Sequence, residues 1–403
     1  MSLTPNRRRW VIFGLLFGSW LLSYFDRQTL SMLKPTIKAE FGLTDSDYSV
    51  LLTLFMAPYV VMYVLSGTIV DRIGSRVTLS IFNGVWSTAM ICIGFVRSIW
   101  QFGACRFTLG LAAPGTVPAA IRTISILFPV GQRGFVIGLF GSASTVGTIL
   151  APPLVALMAA HFGWRAAFWI PGIIGFAWIA AWRLTFRASD DEVSQDKVTR
   201  PMWRKMVRSR EVWGLVSARF ISDPVWYFYL FWLPGYFQER LGLSLTQAGA
   251  VCWIPWLAAN LGGVSSGLLS DKLVRGGWEP TTARKRVLLC AAVIGPLGVL
   301  VPHMSTTVGV LIIACPVAVM CLTWTVGTPA LIGDMFPKNA IGGVVGLTQA
   351  AGAAGGLLFN SQVGRMVEHV GYGPVFLCTG LLHPIAALII YTQVRRKSAL
   401  PLY

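Results

Sequence analysis

Charged side chains are scarce in this chain. Asp, Glu, Lys and Arg make up 12% of its 403 residues, about half the roughly 25% of a soluble domain. That scarcity excludes an ordinary water-soluble globule, which needs more polar surface to face water. Acids are rarer still, 16 against 33 Lys and Arg. Histidine is nearly absent: His161, His303 and His369 fall at outer helix ends, and His383 precedes Pro384, so a histidine relay has no support. The seven cysteines (Cys92, Cys105, Cys252, Cys290, Cys315, Cys321 and Cys378) lie singly inside apolar runs. Their odd number and scattered spacing exclude a disulfide framework and a metal site, leaving them as small packing residues. No nucleophile–base constellation, P-loop lysine pattern or sizeable soluble segment is visible, so neither an enzyme nor a receptor is indicated. No cofactor is called for.

Apolarity is what the chain has in abundance. Hydrophobic residues reach 55%, with 16 Trp, in runs of about 20 residues that can each cross a bilayer as a helix. The runs predict spans at roughly 10–32, 46–70, 77–96, 99–128, 134–160, 165–185, 211–237, 245–270, 284–302, 307–333, 341–364 and 372–394. The expectation is an all-α polytopic membrane protein. Arg7, Arg8 and Arg9 precede the first run in the manner of a secretory leader. That run is too long for a leader and no small-residue cleavage site follows, so it reads as a retained helix. The formal charge of +17 does not indicate nucleic acid. With both termini cytoplasmic, about 23 of the 33 Lys and Arg fall in cytoplasmic segments and about 6 in outer loops. The basic excess is chiefly a membrane-orientation signal.

The spans divide six and six around one polar segment, RASDDEVSQDKVTRPMWRKMVRSR. This gives an N-terminal bundle over 1–186, a cytoplasmic linker over 187–210 and a C-terminal bundle over 211–403. The halves echo each other. Gly67, Asp71, Arg72, Gly74 and Arg76 follow the second span; Gly267, Asp271 and Lys272 follow the eighth with the same glycine-to-aspartate spacing. Internal repeats of this kind mark secondary transporters, whose substrate site lies near the midplane. The string G-x-x-x-D-R-x-G-x-R at 67–76 resembles the signature loop of the major facilitator superfamily at every fixed position. The resemblance implies that fold: twelve transmembrane helices in two six-helix bundles that rock about a central cavity. Asp71, at a helix boundary, is placed to pair with a base such as Arg133 and latch one side.

Ionisable groups inside spans are costly and are functional candidates by default. Here they are Asp26, Arg27, Arg106, Arg122, Arg219 and Asp223, an excess of positive charge suited to an anion; arginine offers a carboxylate a permanent, bidentate fork. Arg27 and Arg106 sit at comparable depth. Arg122 lies 16 residues beyond Arg106, about 24 Å along a helix, where headgroup snorkelling or a gate contact is its role. Arg219 and Asp223 are i and i+4 and can neutralise each other. Asp26 and Arg27, as neighbours, project about 100° apart and are expected to serve different partners.

Several local patterns resemble the anion:cation symporter family, which includes bacterial hexuronate and aldonate transporters, sialin and the vesicular glutamate transporters. They are Tyr24-Phe-Asp26-Arg27 with Ser31, Tyr59, Arg106-x-x-x-Gly110 followed by Pro118, Gly163-Trp164-Arg165-Ala-Ala-Phe168, and the run from Arg219 to Pro234. The resemblance implies that Arg27, Tyr59 and Arg106 hold a substrate carboxylate and hydroxyls and that Asp26 exchanges protons. A substrate anion on Arg27 would favour protonation of Asp26, so substrate and proton would ease each other's binding. Family members commonly carry a glutamate seven residues after the helix-four arginine; here that position is Ala113. Tyr24, Ser144, Trp226, Tyr229, Asn260, Gln349 and Asn360 are further cavity candidates, with helix–helix bonding or core packing as the competing role. The expected function is proton-coupled uptake of a small organic anion such as a hexuronate or aldonate, by a monomer in the lipid bilayer of the inner membrane. The alternatives are another carboxylate, aromatic or dicarboxylic, and an exporter or facilitator with weakened coupling.

Overall fold

The computed structural model describes residues 5–187, 208–336 and 338–394, and among these there is no β-strand. The helices are α1 (Pro5–Met32), α2 (Lys34–Phe41), α3 (Asp45–Ile93), α4 (Ile99–Ala112), α5 (Thr116–Leu127), α6 (Val130–Phe162), α7 (Ala166–Thr185), α8 (Arg210–Leu241), α9 (Leu245–Val251), α10 (Ile254–Arg275), α11 (Pro280–Ala292), α12 (Thr307–Met335), α13 (Lys338–Val370) and α14 (Tyr372–Gln393). Each expected span is present as helix. The second and third share α3, the fourth is α4 with α5, the eighth is α9 with α10, and the ninth is α11 with a 3-10 tail over Gly295–His303.

The breaks have sequence causes. Pro114 and Pro255 remove backbone donors at the junctions inside the fourth and eighth spans. Within α3, Gly74 takes φ 79° and ψ 164° and turns the chain between two legs. A side chain would strain that conformation, which accounts for one glycine of the 67–76 signature. Among the described residues, eight helices are long and apolar enough to cross a membrane by composition alone. Helices α1, α8 and α10 fall short of that measure, and α1 and α8 each carry an internal Asp and Arg.

Contacts divide the chain into two compact units: Met1–Gln195 with Phe231–Trp253, and Asp196–Leu230 with Ile254–Tyr403. This differs from the expected boundary at the linker, most of which lies outside the described residues. The first unit takes the distal part of α8 with it. The division falls at Leu230, whose carbonyl is the one Pro234 cannot satisfy. In the first unit Ile12, Leu16, Trp20, Leu79, Ile124, Phe140 and Trp182 form a continuous apolar core. The approach of α4 to α3 is set by Gly110, where a methyl would collide with the Phe55 carbonyl. That backbone contact carries Arg106, one turn away, onto the Phe55 ring.

Candidate functional site

In the first unit the internal charges converge. Asp26, Arg27 and Arg106 are each at most 1% exposed. As the 100° offset requires, the neighbours Asp26 and Arg27 part company. Asp26 turns to α4, where Arg106 Nη1 lies 3.4 Å from its Oδ1. That is long for a charge-assisted bond, which is usually about 2.7–2.9 Å. The Arg27 guanidinium lies over Tyr24 at 4.5 Å and Tyr59 at 4.7 Å. Both guanidiniums also flank one ring, Phe55, at 5.6 Å for Arg27 and 4.4 Å for Arg106. Two cations therefore face one carboxylate in an aromatic-walled, buried space. Arg106 Nε and Nη2 have no hydrogen-bond partner among the described residues. Unpartnered N–H groups on a buried cation are costly, and an anion is the ligand that would satisfy them. Phe55 escaped the sequence reading, although its i, i+4 spacing from Tyr59 places it on the same face. Gln28 escaped it too: it is fully buried with neither amide atom partnered among the described residues.

Other first-unit candidates fall elsewhere. Ser144 Oγ donates to the Gly141 carbonyl at 2.7 Å within its own helix, which is the local, structural use of a serine. Arg122 Nη1 donates to the Val70 carbonyl at 2.6 Å, so it closes the end of a helical leg instead of snorkelling. Arg76 Nε and Nη2 donate to the Phe186 and Arg183 carbonyls at 2.7 and 3.1 Å; they satisfy acceptors that a helix C-terminus leaves open. The expected Asp71–Arg133 latch is not formed. Asp71 is exposed and pairs with no base among the described residues, while Arg133 Nε donates to the Phe128 carbonyl at 3.0 Å. Arg72 is also exposed, and nothing packs where a side chain on Gly67 would stand.

A second charged cluster, at the far end of α1, was not anticipated. Lys34 Nζ lies 2.8 Å from both Asp45 and Glu239, and Lys38 Nζ lies 2.9 and 3.3 Å from the same two carboxylates. Burial pulls the Lys34 ammonium below the usual lysine range, more than its two carboxylates raise it. For Lys38 burial also opposes the charge, but Asp45 and Glu239 together outweigh it and raise the ammonium above that range. Lys34 rests on Trp232 at 4.4 Å, and the hydroxyls of Ser31 and Tyr48 both donate to the Phe231 carbonyl, at 3.0 and 2.9 Å. These contacts hold the distal part of α8 in the first unit. The alternation of Lys34 and Lys38, i and i+4, was the available signal.

In the second unit the internal charges are matched. Arg219 Nη2 lies 2.8 Å from Asp223 Oδ2 and donates to Gln349 Oε1 at 3.1 Å. Trp226 meets Trp256 edge to face at 5.1 Å, and Trp256 Nε1 is buried without a partner among the described residues. Tyr229 packs edge-on against Phe228 and Phe376 at 5.7 and 6.0 Å, a core position. Asn360 Nδ2 donates to the Gly356 carbonyl at 2.9 Å within its own helix, and Asn260 is half-buried on α10. The repeat of the signature loop is tied down here. Arg284 Nη1 lies 2.7 Å from Asp271 Oδ1, and its Nε 3.2 Å from Asp334 Oδ2.

A helical chain of apolar spans with repeated halves and a buried, cation-rich cluster has the features of a secondary transporter. The model of the Major Facilitator Superfamily matches residues 16–360, and the chain belongs to that superfamily. It is 26% identical to the hexuronate transporter of Escherichia coli (strain K12), over 97% of this chain and 95% of that protein. It is 26% identical to the D-galactonate transporter of Escherichia coli O6:H1, over 97% of each. The solved structure of a D-xylose-proton symporter superposes with a TM-score of 0.78 at 18% identity, covering 96% of this chain and 98% of that one. That likeness establishes the all-α, twelve-helix fold; the sugar-acid transporters agree with the sequence resemblance.

Proposed function

We propose that the protein is a proton-coupled importer of a small sugar acid, a hexuronate or an aldonate, working by alternating access in the inner membrane with both termini cytoplasmic. The observation that carries this reading is the pair of buried guanidiniums, Arg27 and Arg106, flanking Phe55, with Asp26 at 3.4 Å from Arg106. The substrate carboxylate docks on Arg27 and the open N–H groups of Arg106, and Tyr24 and Tyr59 present hydroxyls to the sugar. Asp26 carries the proton: the anion's arrival offsets the two arginines, and a neutral carboxyl group then releases Arg106 to the substrate. The proposed unit is a monomer, and the named relatives support the substrate class. In proteoliposomes, hexuronates or aldonates should accumulate under an inward proton gradient, and Asp26→Asn should abolish gradient-driven uptake while sparing exchange. Concentrative uptake of none of the sugar acids would overturn the substrate assignment.

A second reading is an exporter or facilitator with weakened coupling, or one that moves another carboxylate. It is favoured by Ala113, which stands where the family resemblance leads one to expect a second carboxylate. Accumulation that ignores the pH gradient would select it.

A further inference from the structure

The C-terminal end of α7, inside the first unit, gathers arginines from three helices. Arg8 of α1 donates through Nε and Nη2 to the Thr185 carbonyl, at 3.1 and 3.0 Å. Arg76 of α3 donates to the Phe186 and Arg183 carbonyls at 2.7 and 3.1 Å. Arg183 itself, on α7, is exposed, and its guanidinium pairs with no acid among the described residues. The acceptors that draw Arg8 and Arg76 here are backbone carbonyls, which the last turn of a helix leaves open. Such a terminus carries only about half a negative charge, against three guanidiniums. The end of α7 is therefore a concentration of positive charge, positioned by its own backbone.

The same turn marks a depth in the membrane. Leu184, next to Arg183, is 83% exposed, and Trp10, two residues after Arg8, is 40% exposed. An aliphatic side chain so exposed on an apolar span belongs against hydrocarbon, and Trp favours the boundary between hydrocarbon and headgroups. Arg183 thus stands at the level of the lipid phosphates. Extension into water is the ordinary use of a basic side chain at a helix end. It does not call for arginines from two further helices, both tied to the same turn. A phosphodiester does: its oxygens accept the planar fork of Arg183 in bidentate fashion, while Arg8 and Arg76 add positive field beside it. A headgroup that carries its own ammonium would bring a like charge into that field, so a net negative headgroup is the better match.

We propose that this arginine cluster is a binding site for an anionic phospholipid, with the lipid phosphate on Arg183 and an acyl chain alongside Leu184. The competing occupant within the chain is the acidic run Asp190, Asp191 and Glu192, which follows in sequence outside the described residues. Native mass spectrometry of the full chain in detergent, titrated with phosphatidylglycerol or phosphatidylcholine of matched acyl chains, reads the site. Phosphatidylglycerol should bind the more tightly. Arg183→Gln should weaken it about fivefold, the equivalent of about 1 kcal/mol for one basic residue at an anionic surface. Arg183→Lys should keep most of the affinity, since the charge remains. Arg76 holds the backbone carbonyl of residue 183 and not its side chain, so these variants keep that bond, and thermal unfolding in detergent checks their fold. Arg97→Gln removes an exposed arginine beyond the other end of α3 and should leave phosphatidylglycerol binding unchanged. Equal affinity for the two lipids, or equal losses in Arg183→Gln and Arg97→Gln, would overturn the site. Displacement of phosphatidylglycerol by an equal concentration of inorganic phosphate would make it a free-anion site and overturn the lipid assignment. Phosphatidylglycerol binding that emerges only after Asp190, Asp191 and Glu192 are neutralised would assign the cluster to the chain's own acids and overturn it too.

Discussion

The two buried charge clusters are built from the same residue types and solve opposite problems. In the second unit one arginine meets one aspartate at 2.8 Å, Gln349 takes a further N–H, and Arg219 Nη1 stays open among the described residues. In the first unit two buried arginines stand near a single aspartate, which meets only Arg106, at 3.4 Å, and guanidinium N–H groups of Arg106 stay open. A self-neutralised pair holds helices; an uncompensated one calls for a ligand. The signature loops differ in the reverse sense. Asp271 is locked by Arg284, whereas its counterpart Asp71 is exposed and unpaired among the described residues. Sequence symmetry between halves thus does not carry over to symmetry of interaction.

The strongest test of this contrast is Arg106→Ala. Ligand-induced thermal stabilisation should vanish and uptake should fall more than about 100-fold, since two or more charge-assisted hydrogen bonds worth about 1.5–3 kcal/mol each are lost. Comparable uptake in the variant and the parent would erase the distinction between the clusters. Next in size is the matched pair. Arg219→Leu alone should cost about 3–5 kcal/mol of stability by stranding Asp223, and adding Asp223→Leu should restore most of it. Denaturation in detergent reads this directly, and a double variant no more stable than the single one would refute self-neutralisation. Lys34→Met should cost about 1–3 kcal/mol, below the value for a fully buried pair because Lys38 still faces both carboxylates. The smallest effect belongs to Asp71→Asn, expected within about 0.5 kcal/mol of the parent because the group is exposed and unpaired. Arg284→Gln, which breaks two pairs in the other repeat, should exceed it in the same assay.

Much of the fold was legible because hydropathy is a local property. Every expected span is a helix, and the proline and glycine positions account for the breaks inside them. The i, i+4 spacing of Arg219 and Asp223 foretold their pairing, and the offset of Asp26 from Arg27 foretold their separation. Other expectations depended on partners that spacing cannot supply. Ser144 and Asn360, polar residues within apolar helices, bond their own backbone; Tyr229 packs into aromatic neighbours. Within α6, Gly147 abuts the Leu21 backbone, whereas Gly138 and Gly141 face open space, a difference their sequence context does not show. Lys34 and Glu239, 205 residues apart, could not be joined by any local pattern.

By itself the sequence determined the solvent in which this protein folds, its number of spans, its signature loop and the excess of positive charge within them. Those follow from the preference of each side chain for water or hydrocarbon and from the 3.6-residue period of the helix. The tertiary structure alone decided which charges met. Gly110 lets α4 approach Phe55 closely enough to set Arg106 beside Asp26, and Lys34 and Tyr48 draw the distal part of α8 into the first unit. Pairing depends on how closely helix backbones approach, and that distance is fixed by packing between residues far apart in the chain.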